Sequence, residues 1–199
     1  MEFNGFRLIS GAIDAAAQAA LVDEVLAGAK AAPFYRPATP SGKPMSVEQT
    51  SFGPYGWITD RRGYRYEPLH PLTGEPWPAI PASLLALWAL HTGGAAAPDS
   101  CLVNLYRGAA KTGLHVDSDE EDLSAPVLSV SLGDTAVFRL GAAARRDSSR
   151  TVRLHSGDVS LLASPSRRFF HGVDRIMAGS SRLIPGGGRI NLTLRRAKA

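Results

Sequence analysis

The sequence predicts a mainly β fold of the α+β type, either a sandwich or a barrel-like jelly roll, because β-prone and helical segments occupy different parts of the chain. After residue 100 the chain consists of short β-prone runs separated by glycine or charged turns: Cys101 to Tyr106, Pro126 to Leu132, Ala136 to Leu140, Thr151 to Leu154, Val159 to Leu162, Arg168 to His171 and Arg189 to Arg195. Gly133-Asp134 and Ser156-Gly157-Asp158 have the composition of hairpin turns. The chain has 199 residues, 44% of them hydrophobic, which suffices for one well-packed domain.

Helical patterns are confined to the first hundred residues. Phe3 to Ile9 is predicted to form a short strand, and Asp14 to Ala32 an amphipathic helix that ends before Pro33. Residues 33 to 56 contain too many prolines and glycines for a helix, so loops with short strands are expected there. Pro81 to Leu90 is predicted to be a short apolar helix with proline near its start. Both helices are expected to be structural.

Composition and charge restrict the classes of function. The formal net charge of +4 is compatible with a polyanionic partner, although any single basic cluster, such as Arg145-Arg146, is more often a solvated surface. Cys101 is the only cysteine, so an internal disulfide is impossible and a reducing compartment is expected. The sequence has neither an apolar run of the about 18 residues that a membrane span needs nor an export signal. We therefore expect a cytoplasmic protein without a membrane partner and, by default, a monomer.

The segment Leu114-His115-Val116-Asp117 carries the first signal of chemistry. On a β-strand, residues i and i+2 point to the same face, so His115 and Asp117 can direct an imidazole and a carboxylate at one ion. A second histidine, His171, completes a set of two nitrogens and one oxygen. This is the ligand set of a mononuclear non-haem Fe(II) site that keeps positions open for a co-substrate and dioxygen. A His-x-Asp pair alone is a weak signal, because a single histidine is more often structural.

The closing strand, Arg189 to Arg195, strengthens this interpretation. Polar and apolar residues alternate along it, so one face is apolar and the other carries Arg189, Asn191, Thr193 and Arg195. Charged groups that face a protein interior need a polar ligand, because unpaired buried charge is unfavourable. The strand is also compatible with a metal-free β-barrel module that holds an organic anion, although such a module has no need of two histidines and an aspartate.

Aromatic and basic residues alternate between Gly56 and Tyr66. Trp57, Tyr64 and Tyr66 are interleaved with arginines in a segment bounded by glycine, which predicts a β-hairpin. Such a hairpin can offer flat side chains that stack on a base and guanidinium groups that contact phosphates. Aromatic packing beneath a long loop explains the pattern equally well, and the sequence alone does not decide between the two.

Several of these motifs occur together in the order of a known family. Over about residues 33 to 196 the sequence resembles the AlkB family of Fe(II)- and 2-oxoglutarate-dependent nucleic-acid demethylases, through Asn104-Leu105-Tyr106, His115-x-Asp117, His171 and Arg189-x-Asn191-x-Thr193-x-Arg195. Shorter matches are Gly56-Trp57, Gly63-Tyr64, Pro76-Trp77-Pro78, Asp119-Glu120 and Ser129-Val130-Ser131-Leu132-Gly133. The resemblance implies a double-stranded β-helix, which is a jelly-roll core, with N-terminal helices and a nucleotide-recognition lid.

The resemblance also implies a role for each matching residue. The Fe(II) ligands are expected to be His115, Asp117 and His171. The 2-oxoglutarate carboxylate next to the keto group is assigned to Asn104 and Arg195, and the distal carboxylate to Tyr106, Arg189 and Asn191. A planar guanidinium suits either carboxylate, because it can donate two parallel hydrogen bonds. The substrate base is assigned to the lid residues Trp57 and Tyr64, to Asp119 near its exocyclic amine, and to Arg145 near the base or its phosphate.

The implied activity is oxidative demethylation of N-alkylated bases. The expected substrates are 1-methyladenine and 3-methylcytosine in single- or double-stranded DNA and also in RNA, with Fe(II) as cofactor and with 2-oxoglutarate and O2 as co-substrates. The expected products are formaldehyde, succinate, CO2 and the repaired base, so the reaction directly reverses alkylation damage. The alternative is a hydroxylase that uses the same iron chemistry on a protein or a small molecule.

The resemblance divides a single domain into four segments. These are an N-terminal extension (1–44), a nucleotide-recognition lid (45–80), a supporting helix with its linker (81–100) and the dioxygenase core (101–199). Two histidines outside the ligand set, His70 and His155, are expected at the surface. The turn before the last strand, Pro185 to Gly188, is expected to be looser than in the family.

Overall fold

The structure is a computed structural model and describes residues 1–198. This part of the chain contains two α-helices, α1 (Ala15–Gly28) and α2 (Ala82–His91). It also contains twelve β-strands: β1 (Glu2–Phe3), β2 (Phe6–Ile9), β3 (Glu48–Phe52), β4 (Gly56–Asp60), β5 (Gly63–Glu67), β6 (Ser100–Tyr106), β7 (Val127–Gly133), β8 (Thr135–Leu140), β9 (Arg150–Leu154), β10 (Val159–Leu162), β11 (His171–Met177) and β12 (Arg189–Arg195).

The strands form two antiparallel sheets and a separate hairpin. The larger sheet has seven strands in the order β1-β2-β10-β7-β12-β6-β3, and the smaller has the order β11-β8-β9. The hairpin pairs β4 with β5. Apolar side chains from both sheets pack together between them. The fold is therefore a mainly β jelly roll with two helices, as the sequence predicts.

Apolar side chains cover one face of the large sheet. On its outer face, α1 and α2 pack through Leu21, Val25, Leu84 and Trp88. The apolar residues of β12 belong to this cluster, so its polar residues lie on the opposite face, between the two sheets. Since β12 pairs with β6 on one side and β7 on the other, its backbone is held by hydrogen bonds along both edges.

Helix α1 begins and ends for local reasons. Asp14 caps it by accepting a hydrogen bond of 2.8 Å from the backbone N–H of Ala17. The helix ends at Gly28, earlier than predicted, because Lys30 and Ala31 bond to carbonyls three residues back rather than four. Among residues 1–198, neither helix reaches the length and hydrophobicity that a bilayer-spanning helix requires.

Two turns that were predicted to be hairpins connect the two sheets. Gly133-Asp134 leads from β7 in the large sheet to β8 in the small one, and Ser156-Gly157-Asp158 leads from β9 back to β10. Gly133 has φ +87°, and a β-carbon there would collide with the carbonyl oxygen of Gly188. Glycine is favoured at such a corner because it adopts a positive φ easily, and the same holds in a hairpin turn. The composition of a turn therefore does not distinguish a hairpin from a corner between sheets.

Three predicted strands differ from the observed ones. Phe3 to Ile9 is divided by a turn into β1 and β2. The run Arg168 to His171 is not a strand, since a 3-10 turn occupies Ser166–Arg168 and β11 only begins at His171. Leu114 to Asp117 is not a strand either, because only His115 forms an isolated bridge, with His171. Strand β12 has the predicted bounds.

His155 and His70 lie in different surroundings. His155 is exposed, as predicted. The prediction for His70 is wrong: it is 1% exposed, packs edge-on against Trp77 and contacts the carbonyl of Pro33 at 2.9 Å. In the turn before β12, the buried Asp134 carboxylate accepts a hydrogen bond from the backbone N–H of Gly188, and a turn looser than in the family stays a prediction.

Candidate metal and co-substrate site

Two histidines and an aspartate lie together at the edge of the small sheet. The candidate ligand atoms of His115, Asp117 and His171 are all within 4.8 Å of one another. His171 is the first residue of β11, and the backbones of His115 and His171 exchange two hydrogen bonds of 2.9 and 2.8 Å. Asp117 follows two residues later in irregular chain. Asp117 and His171 are buried while His115 is exposed, so the cluster opens to solvent on the His115 side.

Backbone carbonyls fix the tautomer of both imidazoles. Nδ1 of His115 lies 2.9 Å from the carbonyl oxygen of Gly113, and Nδ1 of His171 lies 3.0 Å from that of Phe169. Because a carbonyl oxygen can only accept, each Nδ1 carries a hydrogen, and in the neutral imidazole Nε2 then keeps its lone pair. The Nε2 atoms lie 3.6 and 3.5 Å from the two carboxylate oxygens of Asp117. Such carbonyl contacts are common behind metal-binding histidines.

The carboxylate of Asp117 has one oxygen available for a cation. Oδ1 accepts a hydrogen bond of 2.9 Å from Arg195, whereas Oδ2 is buried and has no hydrogen-bond partner among the described residues. Burial alone raises the pKa of Asp117, but Arg195 and then His171 outweigh it and hold the pKa well below its usual range. An ionised, partly unpartnered carboxylate beside two imidazole lone pairs fits a divalent cation.

Arg189 offers a buried positive charge that lacks an anion. Its side chain is 0% exposed, and its Nη2 donates to Ser131 Oγ at 2.8 Å and to Asn191 Oδ1 at 3.0 Å. Its Nε has no partner, and no carboxylate of residues 1–198 forms an ion pair with it. Burial lowers the pKa of Arg189 to about 10, so the guanidinium is still charged near neutral pH. The surroundings of Arg189 therefore fit a bound carboxylate.

The strand ladder aligns further polar side chains with Arg189. On β6, Tyr106 pairs with Arg189 and Asn104 pairs with Asn191. On β3, Gln49 pairs with Asn104, and its Nε2 donates to Asn104 Oδ1 at 2.7 Å. That bond uses the amide oxygen of Asn104 and leaves its NH2 group to donate elsewhere. The sequence-predicted residues of the co-substrate site thus lie in adjacent positions on one face of the large sheet.

The aromatic hairpin lies over the chain that follows Asp117. Trp57 and Tyr64 stack with ring centroids 5.5 Å apart and an angle of 16° between the planes. The indole N–H of Trp57 donates to Asp119 Oδ2 at 2.8 Å. On the opposite face of the hairpin, Ile58 packs against Trp77. Both interpretations of this sequence therefore hold in part, because one face packs on the protein while Tyr64, on the other, is 50% exposed.

One predicted site residue lies apart from the rest. Arg145 is exposed in the loop of residues 141–149, between β8 and β9. Within residues 1–198 its side chain makes no hydrogen bond or ion pair. The structure therefore joins the other predicted residues into one site and leaves Arg145 as a free surface cation.

Comparison with known proteins decides the family. Residues 5–195 match the family described as the 2OG-Fe(II) oxygenase superfamily. A protein of Caulobacter vibrioides, named alpha-ketoglutarate-dependent dioxygenase AlkB homolog, is 59% identical over 194 residues, which are 98% of this chain and 88% of the relative. The alpha-ketoglutarate-dependent dioxygenase AlkB of Escherichia coli is 42% identical over 181 residues, covering 89% of this chain and 83% of the relative. The chain belongs to the AlkB family of these oxygenases.

The solved structures agree with this assignment. The structure of OsALKBH1 superimposes with a TM-score of 0.83 and 30% sequence identity, covering 98% of both chains. As a member of the AlkB family, the protein is a dioxygenase that uses Fe(II), 2-oxoglutarate and O2. The unpartnered Asp117 Oδ2 suits the cation, and the unpartnered Arg189 Nε suits the dicarboxylate.

Three buried polar residues of the site were not predicted as site residues from the sequence. Tyr66, on β5, donates its hydroxyl to Glu120 at 2.7 Å and accepts from Arg195 at 3.3 Å. Arg167 is 2% exposed and donates to Glu120 at 3.0 Å and to the backbone carbonyl of Asp117 at 2.7 Å. In the sequence, Tyr66 is one of the aromatic residues of the predicted hairpin, Glu120 belongs to the short family match Asp119-Glu120, and Arg167 is half of the basic pair Arg167-Arg168. No periodic pattern connects them, because 47 positions separate Glu120 from Arg167.

Proposed function

We propose that this AlkB-family protein oxidatively removes N-linked methyl groups from nucleic-acid bases. The proposed substrates are 1-methyladenine and 3-methylcytosine in single- or double-stranded DNA and also in RNA, and the products are formaldehyde, succinate, CO2 and the unmodified base. A relative from Arabidopsis thaliana carries the name DNA N(6)-methyladenine demethylase ALKBH1C, which supports a nucleic-acid substrate. The biological role would be direct reversal of alkylation damage.

The proposal assigns the metal and the co-substrate to the two parts of the site. Fe(II) is held by His115, Asp117 and His171, with Oδ2 as the ligand atom of Asp117. The distal carboxylate of 2-oxoglutarate binds Arg189, Asn191 and Tyr106, and the carboxylate beside the keto group binds Arg195 and Asn104. When bound, Fe(II) and 2-oxoglutarate supply the oxidising chemistry with O2, while the protein orients the reactants and excludes competing reactions.

One observation carries the substrate proposal, the hydrogen bond from Trp57 to Asp119. It brings a flat aromatic ring and a carboxylate together two residues from the candidate metal ligand Asp117. An extruded base can stack on the Trp57–Tyr64 pair, and a lesion that has lost its pairing is easier to extrude. Both proposed lesions are cationic, and the Asp119 carboxylate complements that charge.

The remaining assignments follow from the same proposal. Arg145, free at the surface, contacts the flipped base or its phosphate. Residues 45–80 act as the nucleotide-recognition lid, residues 1–44 as an N-terminal extension, 81–100 as a supporting helix and linker, and 101–199 as the dioxygenase core. We propose that the enzyme works as a monomer in the cytoplasm.

The test is turnover of a defined lesion. Protein loaded with Fe(II) and 2-oxoglutarate under anaerobic conditions is mixed with a 3-methylcytosine oligonucleotide, and oxygen is then admitted. Mass spectrometry is expected to show loss of one methylene and formation of formaldehyde, both dependent on 2-oxoglutarate. Succinate formation without any change in methylated DNA or RNA oligonucleotides would instead favour a protein or small-molecule substrate.

A matched pair of variants tests the role of the hairpin. Trp57→Ala removes the stacking surface and is expected to weaken oligonucleotide binding by about 1–3 kcal/mol, as for other aromatic residues that stack on bases. Tyr55→Ala is the control, because this half-buried tyrosine precedes the same hairpin and its ring faces Lys198 instead. Equal losses in the two variants would contradict the stacking role of Trp57. Oligonucleotide-independent succinate formation is expected to persist in both.

A further inference from the structure

We propose that Arg167 and Glu120 are positioning residues that hold Asp117 and Arg195 in one fixed arrangement. Asp117 belongs to the metal part of the site and Arg195 to the co-substrate part, so this network connects the two. The inference rests on the proposed function only in taking Asp117 as a ligand of the metal and Arg195 as a ligand of 2-oxoglutarate.

The backbone near Asp117 has little support of its own. His115 forms the last backbone bridge before it, and residues 116–119 lie in no helix or strand. Within the described chain, the N–H groups of these residues make no backbone hydrogen bond. A ligand on such a segment needs other contacts to keep its carboxylate in place, because a misplacement of about 1 Å can abolish most of a site's activity.

Arg167 supplies that contact from a distant part of the chain. It lies in the 3-10 turn just before His171 and is 2% exposed. Its Nη1 donates to the backbone carbonyl of Asp117 at 2.7 Å, and its Nε donates to that of Ala125 at 2.9 Å. The planar guanidinium thus fixes two points of the segment that carries Asp117. Lysine, with a single ammonium group, cannot reproduce this geometry.

Glu120 connects Arg167 with Arg195. Its Oε2 accepts from Arg167 at 3.0 Å, and its Oε1 accepts from Tyr66 at 2.7 Å and lies 3.3 Å from Nε of Arg195. Arg195 in turn donates to Asp117 Oδ1 at 2.9 Å. The contacts form a closed ring in which Arg167 holds the backbone of Asp117 and Arg195 holds its side chain.

The charges in this ring are balanced and almost completely buried. Two arginines face two carboxylates, and each of the four side chains is at most 8% exposed. If Glu120 loses its charge, two guanidinium groups share one carboxylate in the interior. Buried charges depend strongly on such partners, so Arg195 is expected to change its position or its contacts.

The test measures ligand binding separately from turnover. Mn(II), which is not oxidised during the measurement, is titrated into the full-length protein by calorimetry, and 2-oxoglutarate is titrated into the Mn(II)-loaded protein. Arg167→Lys is expected to weaken Mn(II) binding by about tenfold to 100-fold, the range seen when a metal ligand loses a supporting hydrogen bond. Glu120→Gln is expected to weaken 2-oxoglutarate binding by about tenfold and Mn(II) binding by less.

Two further variants distinguish the loss of a contact from a loss of folding. Tyr66→Phe removes the hydroxyl group that contacts Glu120 and Arg195. This variant is expected to weaken 2-oxoglutarate binding by about threefold and to leave Mn(II) binding normal. Asp14→Ala removes the cap of α1 on the far face of the large sheet, so it lowers stability without contacting the ring. Melting temperatures of all variants show how far stability alone is changed.

The outcomes separate this inference from the proposed function. If folded Arg167→Lys and Glu120→Gln bind both ligands like the wild type, or if Asp14→Ala loses binding to the same extent, the positioning role is overturned. A wild type that binds Mn(II) and 2-oxoglutarate but leaves methylated oligonucleotides unchanged contradicts only the proposed substrate. A wild type that binds neither ligand contradicts the site and this inference together.

Discussion

The two parts of the site differ in how the chain holds their side chains. The co-substrate part is built on β12, whose backbone is paired with β6 and β7, so Arg189 and Asn191 follow the regular alternation of a strand. The metal part is built on an isolated bridge and an irregular segment, and Asp117 is held by the buried side chains of Arg167 and Arg195.

This difference shows where a sequence pattern can be trusted. Strand alternation determines side-chain direction when ladder hydrogen bonds enforce it, as they do along β12. Near Asp117 the same alternation was assumed, but there is no ladder, and tertiary hydrogen bonds bring the three candidate ligands together instead. The two parts can therefore be tested separately.

Removal of a ligand should have the largest effect. His171→Ala leaves two candidate ligands and is expected to reduce metal affinity by more than the roughly 100-fold that loss of a supporting hydrogen bond can cause. His155→Ala is the control, since this exposed histidine lies outside the cluster. Anaerobic Fe(II) titration measures both variants. Wild-type affinity in His171→Ala would show that the metal is bound elsewhere.

Hydrogen exchange should distinguish the two parts before any ligand is bound. Amides of residues 190–194 are bonded in the interior of the sheet, whereas those of residues 116–119 have no backbone partner in the described chain. We expect exchange in the second group to be faster by about 100-fold or more, because opening free energies range from near zero to the global value. Mn(II) should slow the second group only. Equal protection in the metal-free protein would remove the distinction.

Replacement of Arg189 should weaken 2-oxoglutarate binding and leave metal binding unchanged. Arg189→Met removes a buried charge that has no anion in the structure, so 2-oxoglutarate binding is expected to weaken by about 2 kcal/mol or more, roughly thirtyfold. The melting temperature without ligand should stay the same or rise, because an uncompensated buried charge is lost. Arg153→Met, at an exposed position on β9, is the control. A parallel loss of Mn(II) affinity would contradict the separation.

Replacement of Gln49 is expected to have a smaller effect on 2-oxoglutarate binding. Gln49→Met removes the hydrogen bond that occupies the amide oxygen of Asn104, so the NH2 group of Asn104 is less well oriented. We expect 2-oxoglutarate binding to weaken by about threefold, in line with the roughly 0.5–1.5 kcal/mol of one hydrogen bond. Thr50→Val, which removes a bond to the Ala32 carbonyl one residue further along β3, should leave it unchanged. Calorimetric titration with 2-oxoglutarate would settle the comparison.

The sequence predicts the parts of the molecule that depend on local pattern. The bounds of β12 and the hairpin of Trp57 and Tyr64 follow from spacing. The jelly-roll connections do not follow from local pattern. Gly133 has a positive φ, which favours glycine in a corner between two sheets as much as in a hairpin.

The residues that were missed or misplaced depend on tertiary contacts. Arg167 and Glu120 meet only when the chain is folded, and a buried ion pair has no signature in either strand or helix periodicity. His70 was expected at the surface, yet it is buried and packs edge-on against Trp77. Resemblance to the family supplied the role of each ligand, which spacing alone does not give.

A crystal structure of the complex with Mn(II) and 2-oxoglutarate tests the central claim most directly. Anomalous scattering is expected to place one Mn(II) at bonding distance from His115 Nε2, Asp117 Oδ2 and His171 Nε2. Electron density should show the distal carboxylate of 2-oxoglutarate at Arg189 and the other carboxylate at Arg195. A metal bound away from these three atoms, or a co-substrate that leaves Arg189 without an anion, would contradict the account.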